Sequence, residues 1–156
     1  MLIDLFTQRL EVRSLFAHDP QFDPQLESLS IPLKTAQDLH PALSMLVGVA
    51  GDNGKTSICN DEETATLFGR RNLMAVPMRG RENTLGVLVV GDKQGRGGIT
   101  PDFTDEDGIL LEAFANQAGV ALENAQLYQE ALEGRRLQIE MEEAAKIQGN
   151  LIPDAP

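Results

Sequence analysis

Tryptophan is absent from this chain of 156 residues, aromatic residues make up only 4% of it, and it holds a single cysteine, Cys59. One cysteine excludes an internal disulfide and fits a reducing compartment. Histidine occurs twice, at His18 and His40, far from each other and from Cys59. That spacing suits no structural metal site, so no metal is expected. Two histidines also fail to build a Ser–His–Asp or Cys–His set, so no catalytic residues are expected. Positive charge is scarce too: 13 Lys and Arg stand against 24 Asp and Glu, for a net charge of −11. Phosphate backbones and anionic membrane surfaces select clustered cations, so nucleic acid and membrane are both excluded as partners. No apolar run approaches the ~20 residues of a membrane span. The opening MLIDLFTQR is too short and wrongly charged for a secretion signal. What is present, 42% apolar residues over this length, suffices for one domain with a core. The expectation is a soluble, acidic, cytoplasmic protein without a cofactor.

Leu2–Phe6 and Leu10–Phe16 are short apolar-rich runs around Thr7, Gln8 and Arg9, a hairpin pattern. Residues 18–30 hold Pro20 and Pro24 and read as a loop, with a short strand near Ser28–Pro32. From Thr35 to Ala50 the apolar positions Leu39, Ala42, Leu43, Leu46, Val47 and Ala50 recur at helical spacing, with Pro41 inside the run. Pro41 suits the first position of that helix, which places its start near His40. A turn at residues 51–54, a strand over Lys55–Cys59 and a brief helix over Glu62–Phe68, stopped by Gly69, follow. Leu73–Met78 and Thr84–Gly91 form the best hairpin. Val87, Leu88, Val89 and Val90 run on without a polar break, as in a central strand covered on both faces. Gly95–Gly98 reads as a flexible loop.

Thr104 supplies a helix N-cap, with Asp107 three residues on as an acidic capping box. Asp105, Glu106 and Asp107 place negative charge at the positive end of the helix dipole. The helix that follows is expected to reach about Gln148, with Gly149 and Pro153 ending it. Its length is then about 60 Å, against roughly 30 Å across for a compact domain of this size. Leu111, Phe114, Ala118, Ala121, Ala125, Tyr128 and Leu132 form a stripe along it, continued in a shifted register by Leu137 and Met141. Charged residues such as Glu133, Arg136 and Glu140 flank the stripe, as in a short coiled-coil seam. This predicts a homodimer. Residues 1–130 are expected to form the domain and residues 131–156 a helical linker.

The ordered series Ala75–Met78, Leu85–Val90, Phe103-Thr104 with Asp107, and the helix Leu110–Tyr128 resembles the C-terminal half of a GAF domain. Ser30–Leu33 and Val49–Asp61 fit the middle of that family. The resemblance implies an α+β fold: a GAF/PAS-like central antiparallel sheet with helices on both faces and a long C-terminal helix. It also implies a sensor of small molecules in a signal-transduction protein. GAF domains usually open with a helix beside the last one, whereas this chain begins in the first strand. Truncation or a covering partner is therefore expected, because a bare apolar sheet face is an association site. The tail, Glu142–Pro153, resembles the segment that leads into bacterial PPM-class serine phosphatases. That likeness implies a covalently linked phosphatase module whose metal-binding aspartates lie beyond Pro156.

In GAF domains the ligand pocket lies on the sheet face opposite the terminal helices. By position, Leu46, Cys59, Leu67, Phe68, Val76 and Met78 are its candidate lining, with a filled core as the alternative. Asp92-Lys93, Phe103 and Asp107 approximate the signature of cyclic-nucleotide GAF domains, so a cyclic-nucleotide receptor is the alternative function. In that family the Lys and Asp form a structural ion pair, which predicts a clasp between Lys93 and Asp107. Residues 51–57 tempt toward a phosphate-binding loop, but Val49 stands where that motif needs its first glycine. Cys59 invites a bilin or redox role; a small buried hydrophobe is the plainer expectation.

Overall fold

The computed structural model describes residues 1–4, 8–13, 28–34, 40–51, 54–61, 65 and 68–151. Six strands form one antiparallel sheet: β1 (Leu2–Asp4), β2 (Arg9–Glu11), β3 (Ser30–Pro32), β4 (Ser57–Cys59), β5 (Leu73–Arg79) and β6 (Thr84–Gly91), in the order β3-β2-β1-β6-β5-β4. The chain divides into two units, Met1–Val120 and Ala121–Pro156. Among the described residues no helix is long and apolar enough to cross a membrane.

The hairpin of β5 and β6 is the longest strand pair of the sheet, with Val76 opposite Leu88 and Ala75 opposite Val89. Its turn closes with the Gly80 amide donating to the Asn83 carbonyl at 2.9 Å. β1 joins the other edge of β6, where Leu2 lies opposite Gly86 and the Val87 amide donates to the Met1 carbonyl at 2.9 Å. The hairpin of β1 and β2 is thus present, though shorter than expected. Phe6 and residues 14–16, also assigned to it from sequence, lie outside the described residues. So does most of the helix expected over Glu62–Phe68, including Leu67.

The first helix, α1 (Pro41–Ala50), starts where proline at its first position predicts. The His40 imidazole caps it, Nδ1 accepting from the Ala42 amide at 3.3 Å. α1 packs on β5 and β6. Leu46, Val49 and Ala50 there meet Leu10, Ile31, Ala75 and Val87 in a common core cluster. The next helix, α2 (Asp105–Leu151), is 47 residues long. Its Leu111 and Ala115 pack against Val76, Met78 and Leu88 on the opposite face of the sheet. The α+β architecture with helices on both faces is therefore as expected.

Three expectations need correction. α2 runs through Gly149 to Leu151, because a glycine weakens a helix without obliging it to stop. Gly95–Gly98 is no loose loop: Gly97 and Gly98 turn at φ 75° and 77°, and the Gly95 amide donates to the Ile99 carbonyl at 2.9 Å. The sheet face shared with α2 is not apolar throughout. Leu10 and Ile31 point into the α1 cluster, so strand alternation turns Arg9, Glu11 and Ser30 the other way. There the Arg9 guanidinium donates from Nε to Ser30 Oγ at 2.6 Å and from Nη2 to its carbonyl at 2.8 Å.

Small residues bring α2 close to the sheet. A Cβ at Gly119 would lie 2.3 Å from the Arg79 carbonyl oxygen, and one at Gly108 3.2 Å from Thr56 Cγ2. At Gly134, by contrast, nothing lies within 4 Å. Gly119→Ala should therefore cost about 1–3 kcal/mol of stability by overpacking. Gly134→Ala should add about 0.5–1 kcal/mol by helix propensity. Urea unfolding of both variants checks the pair: a tolerated Gly119→Ala would mean that helix and strand can separate freely.

Candidate functional site

The α1 face of the sheet holds part of the lining proposed from sequence. Leu46 is fully buried in the cluster with Val49 and Val87. Cys59 and Phe68 are half-buried and border a second cluster of Ala42, Ala65 and Leu73. The Cys59 thiol lies 3.6 Å from the Asp61 carbonyl, so this cysteine is less enclosed than a core hydrophobe. Val76 and Met78 do not join them. Both belong to the cluster under α2, with Ala115 and Leu111. One strand sends alternate side chains to opposite faces, so Leu73 and Ala75 face α1 where Val76 and Met78 cannot. Of the five described residues, Val76 and Met78 thus lie on the other face from Leu46, Cys59 and Phe68, and Leu67 lies outside the described residues.

The start of α2 is the other chemically organised region. The Lys93 ammonium meets Asp107 Oδ2 at 2.6 Å, the pairing expected from sequence. The same carboxylate accepts from the Thr104 amide at 2.8 Å and from its hydroxyl at 3.0 Å, while the Thr104 hydroxyl faces the Asp107 amide at 3.4 Å. This is a reciprocal capping box closed by a cation from the end of β6. The Lys93 hydrogen bond first, and the Thr104 amide second, hold the Asp107 carboxyl below its ordinary value of 3.8.

Sequence reasoning misses the side chains that hold the connector between β6 and α2. Asn60, just past β4, donates from Nδ2 to the Phe103 carbonyl at 3.0 Å and accepts from the Phe103 amide at 2.9 Å. Asn72, just before β5 and 2% exposed, donates to the Pro101 carbonyl at 2.9 Å and accepts from the Asp92 amide at 3.1 Å. Asp92 sits at φ 55°, a conformation that Asp and Asn tolerate better than most residues. Its carboxylate accepts from the Arg71 amide at 2.8 Å and pairs with Arg70 at 3.2 Å. On α2 itself, Thr56 donates to Glu112. At the far end of β5, Arg79 donates to the Gly54 carbonyl and so ties that strand to the turn after α1. The available signal was weak: polar residues flanking strands are common, and only the fold says which backbone they meet.

The stripe assigned to α2 needs one change. Leu111 faces the sheet, so the exposed line begins at Leu110 and Phe114, 61% and 59% exposed. It continues through Ala118, Ala121, Ala125, Tyr128 and Leu132, all exposed. In the second unit every described residue from Asn124 to Asn150 is exposed, Leu137 and Met141 among them. Two contacts between side chains four residues apart, Arg136 with Glu140 and Gln138 with Glu142, run along it. Among the described residues no group of three or more His, Cys, Asp and Glu is placed to hold a metal ion.

The capping box sets a pH dependence. A carboxyl whose folded pKa is depressed stabilises the fold above its unfolded pKa, and this contribution fades as pH falls toward the folded one. The stability advantage of the native chain over Asp107→Asn should be constant near neutrality and narrow once pH drops below 3.8. Thermal unfolding of both proteins across acid pH measures it. A gap that stays level to the acid limit would mean that the clasp contributes nothing through its charge.

An independent comparison agrees with this geometry. A family model for the GAF domain matches residues 5–124, well over half of the chain. Strands β2 to β6, α1 and the capped start of α2 fall in the matched region, whereas β1 and the part of α2 beyond residue 124 lie outside it. The chain therefore belongs to the GAF family, and with it to the regulatory domains that sense small molecules in signalling proteins.

Proposed function

We propose that this chain is a non-catalytic cytoplasmic sensor that works as a homodimer and passes its state along α2 to an attached output module. The observation that carries the proposal is the exposed apolar stripe. Leu110, Phe114, Tyr128, Leu132, Leu137 and Met141 are 61%, 59%, 65%, 45%, 60% and 74% exposed on one helix. Helices owe most of their stability in proteins to packing of an apolar face, and every described residue from Asn124 to Asn150 is exposed. Spacings of three and four residues from Phe114 to Leu132 suit a second copy of the same helix, side by side. A ligand on the α1 face would then act by favouring one pairing of the two helices over another.

The output module in this proposal is a PPM-class serine phosphatase. Support comes from the tail, Glu142–Pro153, with its resemblance to the segment that precedes such modules. A reading frame that runs on past Pro156 into metal-binding aspartates would support it, and one that runs into unrelated sequence would remove it. The second reading, a cyclic-nucleotide receptor, is favoured only by the pattern of Lys93, Phe103 and Asp107. Here Lys93 and Asp107 pair with each other, as in that signature, so the likeness rests on a structural clasp rather than on groups free to meet a nucleotide.

Two measurements test these proposals. Light scattering of the full chain at micromolar concentration should give twice the chain mass. Phe114→Glu and Leu132→Glu, which place charge in the seam, should each shift the species toward monomer by at least tenfold in dissociation constant; a native monomer would end the dimer proposal. Thermal shift with cyclic AMP and cyclic GMP addresses the receptor. A rise in unfolding midpoint would favour it, and no rise with either nucleotide would retire it.

A further inference from the structure

Asn60 occupies a position that none of the preceding roles explains. It follows β4, the edge strand, whose last residue Cys59 turns toward Ala42, Ala65, Leu73 and Phe68 in the α1 layer. Asn60 itself is exposed at its outer side, yet its amide meets both backbone groups of Phe103, at 2.9 and 3.0 Å. A side-chain amide bonded this way imitates one rung of a strand ladder. Phe103 is 8% exposed and directly precedes Thr104, the cap of α2. Cys59, the last residue of β4, and Asn60, just past it, therefore touch the α1 layer and the connector to α2 respectively. Cys59 packs on the α1 side, and Asn60 holds the backbone from which α2 starts.

The rest of the connector is held differently. Asn72 ties Pro101 and Asp92 to the start of β5, but it is 2% exposed and stands beside the hairpin of β5 and β6. Among the described residues β4 pairs with a neighbour on one side only, over three residues, Ser57 to Cys59. An edge strand held along one side moves at lower cost than a central one. Next to it, Thr56 donates to Glu112 on α2, so the two residues that flank β4 meet the helix and its connector, Thr56 after the cap and Asn60 before it.

We propose that β4 is the element that couples the two faces of the sheet: a change of packing at Cys59 displaces the strand, and Asn60 carries the displacement to Phe103 and the first turn of α2. Asn60 is in this sense a positioning residue. The coupling goes beyond the sensor proposal, since it depends on neither a ligand nor a second copy. Its failure would leave the oligomer untouched, and a monomeric protein could still show it.

The experiment uses the only cysteine of the chain as a handle. Methyl methanethiosulfonate adds a methylthio group to Cys59, the thiolate displacing sulfinate from the reagent as a new disulfide forms. Amide hydrogen exchange is then followed across the full chain, with and without Asn60→Ala. In the native chain the modification should speed exchange of the amides from Phe103 to Gly108 by roughly three- to tenfold, the scale of one net hydrogen bond. In Asn60→Ala those amides should already exchange faster, and the modification should add no further change there, while β5 and β6 keep their protection. Cys59→Ile gives the same comparison without the reagent. An equal effect of the Cys59 change with and without Asn60, no effect in the native chain, or loss of protection spread over the whole sheet would each overturn the proposal.

Discussion

The near contact of the α2 backbone with β5 is the constraint on which the rest of this structure depends. Gly108, Ala115 and Gly119 line the helix face that meets the sheet, and at Gly119 a single added carbon would strike the Arg79 carbonyl. Such a face lets helix and strand approach closely but buries little apolar area of its own. Leu111 adds to it by packing against the cluster of Val76, Met78 and Ala115. The orientation of the helix must then come from polar contacts around its first turns. The Thr104 and Asp107 box, the Lys93 ion pair and the Thr56 contact to Glu112 provide them.

Those contacts also explain how so acidic a chain concentrates charge at this point. Asp105, Glu106 and Asp107 share one turn at the positive end of the helix dipole. Only Asp107 of the three is drawn into a closed arrangement, because the capping geometry directs the third residue of the helix back onto the cap. Lys93 then neutralises it from the end of β6. An ion pair this exposed adds little stability by charge alone, so its value lies in direction: it fixes where the helix leaves the sheet.

The sheet separates two apolar layers, α1 on one side and α2 on the other, and this explains both successes and failures of the sequence reading. The hairpin from Leu73 to Gly91 is legible because two apolar runs flank a short polar turn, which is a local signal. Which of its side chains face which layer is not legible, because LMAVPM is apolar at every position and carries no alternation. Assigning Val76 and Met78 to the α1 side was an error of parity. Leu111 was misplaced for a related reason. A stripe counted at three and four residues cannot say whether its first member belongs to the sheet contact or to the exposed line beside it. Asn60 and Asn72 were invisible as tethers, since their partners lie 43 and 29 residues away.

By itself, then, the order of residues determined what depends on near neighbours: the acidic balance, the proline start of α1, the capping box at Thr104, the hairpin from Leu73 to Gly91 and a long final helix. Tertiary structure alone decided which face each strand residue serves, which asparagine holds which backbone, and that the exposed line of α2 begins at Leu110. The division has one physical cause. Propensity, capping and turn chemistry act over a few residues, whereas the choice between two buried faces is made by whatever packs there, and that comes from distant parts of the chain.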